Sequence, residues 1–96
     1  MASKRRLKKG VVALAAALFD EALLFRAFAS GEQVDELEAL MDDIMVWTDD
    51  TIRRVARPDG KDNPKLVRAY YTKLRRDINE TAEKFDERLV KVLESL

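Results

Sequence analysis

Two stretches of this chain carry residues at spacings that chemistry could use. "DDIMVWTDD", residues 42–50, sets two acidic pairs seven positions apart. On a helix Asp42 and Asp49 share a face, but the rise per residue separates them by about 10 Å along the axis, too far to hold one ion. Carboxylate-bridged dimetal bundles also use a Glu-x-x-His element, and the chain contains no His. "PDGKDN", residues 58–63, has the residue types of a calcium loop without its D-x-[DN]-x-[DN]-G spacing. If Asp59 came first, Tyr70 would stand where such a loop needs its bidentate Glu.

The absences weigh more than these motifs. With no Cys, disulfides, thiolate nucleophiles and Cys-held metals are excluded. With no His, the commonest general base, the imidazole metal ligand and every Ser–His triad are excluded as well. No glycine-rich phosphate loop is present. Asp49–Arg53 and Asp50–Arg54 read as ordinary i,i+4 ion pairs on a solvated face. The expectation is a protein that is not an enzyme and has no cofactor and no metal.

A third stretch concentrates charge. "SKRRLKKG", residues 3–10, places Lys4, Arg5, Arg6, Lys8 and Lys9 around Leu7. Followed by "VVALAAALF" and by the small-x-small "AFA" at 27–29, it has some features of an export signal. Asp20, Glu21 and Arg26 fall between the apolar run and that supposed cleavage site, which speaks against the reading. The run is also far short of the roughly 18–20 residues of a transmembrane helix. The expectation is a cytoplasmic protein with no transmembrane segment.

The elements that must position these residues are helices. The 96 residues suit one domain, 1–96, with 38% charged and 47% hydrophobic residues, too apolar for disorder and too charged for a membrane protein. Three Gly and two Pro leave few places to turn, which favours a few long helices over strands. Leu7, Val11, Leu14, Leu18, Ala22, Phe25 and Ala29 recur at spacings of three and four, predicting a helix over 3–29. A second seam, Val12, Ala16, Phe19 and Leu23, widens its apolar arc beyond what one contact requires, and Leu24 and Phe28 lie outside both. Glu21 interrupts the heptad and is expected at the rim.

Gly31 suits the turn after that helix, and Ser30 with Gln33 fits a capping box for the next. Val34, Leu37, Met41, Ile44, Thr48, Ile52 and Val55, widened by Leu40 and Trp47, predict a second helix over 32–57. Asn63 as N-cap and Pro64 in the first turn open a third over 64–94, with Val67, Tyr71, Leu74, Ile78, Ala82, Phe85, Leu89, Val92 and Leu96 on its apolar face. Short connections make neighbouring helices antiparallel. The fold class is therefore all-α, an up-down-up three-helix bundle, with dimerisation as a way of completing it. Leu18, Ile44, Leu74, Ile78 and Phe85 are expected in the core, and Trp47 is expected there too, opposite the alanines at 13–17.

"SKRRLKKGV" leading into "ALFDEALL" resembles the start of a group of small, uncharacterised all-helical bacterial proteins, whose N-termini run from basic residues through Leu-Lys-Lys into a helix. The likeness spans about the first 25 residues. It implies a bacterial, intracellular, helical protein and carries no site residues onto this chain.

The topology sorts the charge. It brings the start of the first helix, the end of the second and the start of the third to one end. Fourteen of the 18 basic residues then gather with four acids, leaving about +10 there and about −10 at the other end of a chain with no net charge. Cations at the N-termini of the first and third helices oppose the macrodipole, so helix stability does not ask for this arrangement. The candidate patch for an anionic partner is Lys4, Arg5, Arg6, Lys8, Lys9, Arg53, Arg54, Arg57, Lys65 and Arg68. Two functions are expected in competition. One is a helical interaction protein that self-associates or docks on a protein partner, using the extra width of the first helix. The other is an accessory protein that meets nucleic acid or another anionic surface with its basic end. Neither a helix-turn-helix nor an RNA-recognition signature is visible.

Overall fold

The computed structural model describes residues 2–57 and 63–96, and side chains from Lys4 onward. It has three helices, α1 (Ala2–Arg26), α2 (Glu32–Ala56) and α3 (Pro64–Ser95), and no strand among the described residues. They pack up-down-up into a rod 51 Å long and 17 by 16 Å across at the Cα atoms. The calcium-like "PDGKD" at 58–62, with Asp59, Lys61 and Asp62 of the charge tally, lies outside the described residues.

α1 stops three residues earlier than its apolar periodicity suggests. The Phe28 and Ala29 amides turn back to the Phe25 and Arg26 carbonyls, tightening the chain into a turn. Gly31, at φ 58°, then takes a conformation that strains any residue with a Cβ and reverses the chain into α2. Only half of the expected capping box forms. The Ser30 amide donates to Gln33 Oε1 at 3.4 Å, but no side chain caps the first amides of α2. Gln33 instead donates through Nε2 to the Ser95 carbonyl at 2.6 Å, tying the start of α2 to the end of α3. At the other turn the Asn63 side chain accepts from the Lys65 and Leu66 amides, with Pro64 following it, as the sequence predicts.

The core runs the length of the rod in two overlapping groups. Nearer the 27–31 turn, Ala15, Leu18 and Ala22 of α1 meet Leu37, Leu40, Met41 and Ile44 of α2 and Phe85, Leu89 and Val92 of α3. Nearer the other end, Val11, Val55, Leu74 and Ile78 pack together with Leu7, Ile52 and Tyr71 against them. Leu14 and Trp47 touch both groups, and Trp47 sets its ring edge-on to Phe85 at 5.6 Å. The five residues expected in the core are all buried there. Glu21 is exposed, as expected of a rim position. Of the alanines at 13–17, only Ala15 enters the core.

The inner face of α2 departs from the expected seam in its second half. Thr51, 1% exposed, occupies the core position, while Thr48 and Ile52 are half-buried. The Thr48 hydroxyl is spent on the Ile44 carbonyl one turn back. The Thr51 hydroxyl has no hydrogen-bond partner among the described residues.

Candidate functional site

Two surfaces stand out on this rod, an apolar groove and a charged end. The groove lies between α1 and α2. Val12, Ala16 and Phe19 of the second seam of α1 line it with Met45, Thr48 and Ile52 of α2, and Leu23 lines an adjoining hollow with Phe19 and Met45. It has a volume of about 590 Å³ and opens to solvent. Val12 is 49% exposed, Leu23 47% and Met45 61%, with Val46 beside them at 71%. Burying such side chains is worth roughly 1.5–3 kcal/mol each, so leaving a row of them in water forgoes a large driving force. α1 was expected to use its second seam on a further neighbour; within one chain Val12, Ala16 and Leu23 stay exposed, while Phe19 is half-buried against the core.

The groove is charged at both ends. Continuing the α1 seam toward the N-terminus at helical spacing reaches Lys9 and Arg5, both exposed. Continuing the other way reaches Arg26 on α1 and Asp42 and Glu38 on α2, also exposed, with Asp20 on the flank beside Phe19. Glu38 accepts an ion pair from Arg26 at 2.7 Å. Asp49, on the groove wall, is paired with Arg53 at 3.1 Å. Asp42 and Asp49, considered above as metal ligands, are exposed surface carboxylates, and the described residues hold no group of three or more potential ligands.

The charged end collects Lys4, Arg5, Arg6, Lys8 and Lys9 from α1, Arg53, Arg54 and Arg57 from the end of α2, and Lys65 and Arg68 from the start of α3. All are exposed except Lys8 and Arg54, which are half-buried. Two are already engaged: Arg53 with Asp49, and Arg54 with Asp77 across to α3 at 3.0 Å. The bond to Asp77 is the main reason the Arg54 guanidinium is held even more firmly protonated than usual, against a smaller opposing effect of burial. Neither α1 nor α3 has an acid in its first turn, so both macrodipoles meet cations; α2, with Glu32 and Asp35 first and Arg53 and Arg54 last, is complemented. On α3, Lys65, Arg68, Lys73 and Arg76 line one shallow strip with Ala69 and Thr72 between them.

Sequence reasoning missed the job of the tyrosines here. Tyr70 donates its hydroxyl to the Arg54 carbonyl and Tyr71 to the Val55 carbonyl, each at 2.8 Å. These carbonyls belong to the last turn of α2, which has no helical partners of its own. The rings, edge-on to each other at 5.6 Å, brace α2 on α3. Burial pushes the Tyr71 phenol above its ordinary pKa and keeps it a donor. The signal was the adjacent Tyr pair beside a helix end, but its partners are backbone atoms and leave no trace in the sequence. Comparison with known proteins finds no matching family, no similar curated protein and no similar solved structure.

Proposed function

We propose that this chain is a non-enzymatic interaction protein of the cytoplasm, a helical rod that self-associates through the outer face of α1 and α2. One observation carries the reading: large apolar side chains on that face, Val12, Leu23, Met45 and Val46, are about half exposed or more, in a row beside a groove. Contiguous apolar surface of this kind marks interaction sites. The test is residue-resolved. On raising the concentration through the micromolar range, methyl resonances of Val12, Leu23 and Met45 should shift or broaden, while those of Leu37 and Leu89 stay fixed. Spectra independent of concentration, or changes confined to α3, would contradict it.

A second reading has its own support. The strip of Lys65, Arg68, Lys73 and Arg76 extends for about 16 Å along α3, enough to follow several phosphates of a nucleic-acid backbone. The tyrosines beside it spend their hydroxyls within the chain, so this reading rests on phosphate contacts alone. A labelled duplex should then bind with an affinity that falls steeply with salt. Arg68→Gln with Lys73→Gln should weaken it without altering helicity, and duplex binding untouched by these changes would remove the reading.

A further inference from the structure

We infer that two copies of the chain pair antiparallel, groove to groove, with the basic end of each lying over the acidic end of the other. The inference rests on the self-association reading and specifies its geometry.

The first argument is charge. At one end of the groove the α1 seam carries Arg5 and Lys9; at the other stand Glu38 and Asp42 of α2, with Arg26 of α1 paired to Glu38. Parallel pairing would set cations on cations and acids on acids at both ends. Antiparallel pairing about a two-fold axis sets Arg5 and Lys9 of one copy near Glu38 and Asp42 of the other, twice per dimer. This also gives a use to the cations that oppose the α1 macrodipole.

The second argument is position. The groove spans Val12 to Phe19, near the midpoint of α1, and Ile44 to Ile52 in the second half of α2, alongside it. A two-fold axis at the middle of a rod lets the partners overlap over their whole length. The third is area. Two helices of this length, each about 10 Å wide and about 37 Å long, present a face of roughly 750 Å². That is close to the roughly 800 Å² per partner of a stable interface.

The chain has no Cys, so a nitroxide label can be placed at will. Lys4→Cys lies about 18 Å along the axis from the groove centre near Ala16, so antiparallel pairing puts the two labels about 36 Å apart along the rod. Parallel pairing brings them within about 20 Å, the width of two adjacent helices. Electron–electron dipolar spectroscopy on the labelled dimer should give the long distance. The short distance overturns the inference and leaves self-association standing, while a sample that is monomeric by sedimentation overturns both.

Charge reversal supplies an independent arm. Arg5→Glu with Lys9→Glu should weaken pairing by on the order of tenfold, since the exposed attractions become repulsions at both ends. Adding Glu38→Lys and Asp42→Lys to the same chain should restore it. Near 1 M salt, where screening acts within about 3 Å, the variants should converge. In a parallel dimer the first change exchanges one repulsion for another and has no effect, so an unchanged affinity overturns the inference. The acids also favour the start of α1, so weakened pairing cannot be blamed on a lost fold.

Discussion

α1 and α2 present two apolar faces that are similar in composition and opposite in fate. The inner face carries Val11, Leu18, Leu37, Leu40, Ile44 and Val55, all buried once α3 lies across it. The outer face carries Val12, Leu23, Met45 and Val46, about half exposed or more, with Phe19 and Ile52 half-buried at its inner edge against the core. Three helices enclose one seam. A helix whose apolar arc is wider than one seam keeps the remainder for something else. The difference between the faces is one of neighbours, and it separates what holds the monomer together from what the monomer offers to others.

The comparison can be broken most forcefully on the inner face. Leu74 of α3 is fully buried among Val11, Val55 and Ile78. Leu74→Ala should cost about 2–5 kcal/mol in chemical denaturation, and a loss below about 0.5 kcal/mol would mean that α3 does not cover this seam. The same face has a polar flaw. Thr51→Val removes a buried hydroxyl that has no partner among the described residues and keeps the side-chain shape, so it should stabilise the chain by about 1 kcal/mol. Destabilisation would show that the hydroxyl is hydrogen-bonded in solution.

A smaller effect comes from the Tyr71 phenol, whose pKa is raised by burial. The folded chain holds this proton where the unfolded chain has lost it. The contribution to stability is therefore complete below about pH 10, the ordinary phenol value, and is lost as pH rises through the folded value. Thermal melts between pH 8 and about 11 should show this decline, and Tyr71→Phe should flatten it.

Why one face was legible in the sequence and the other was not follows from where the information lies. The inner seams of α1 and α3 are written in apolar residues at three and four, and Leu18, Ile78 and Phe85 could be placed from spacing alone. The lower half of α2 misled because its core position is Thr51, while the more apolar Ile52 stands beside it and is only half-buried. Spacing admitted both, and only the placement of α3 decides between them. The second seam of α1 was visible as excess width, but whether a neighbour covers it is tertiary. The charge at each end of the groove was visible as composition. Its place on the groove's own face, Arg5 and Lys9 at one end and Glu38 and Asp42 at the other, needs the helix phase that the exposed seam fixes.

The smallest effect on folding is expected from the outer face. Leu23→Glu with Met45→Glu introduces charge where side chains already meet water, so denaturation midpoints should move by less than about 0.5 kcal/mol equivalent. The same pair of substitutions tests the central claim most directly when association is measured. Sedimentation velocity of the wild-type chain across the micromolar range should show a concentration-dependent dimer, and the double variant should remain monomeric at every concentration with unchanged helicity. A wild-type chain that sediments as a monomer throughout, or a double variant that dimerises as well as the wild type, would contradict the assignment of this face as the working surface of the protein.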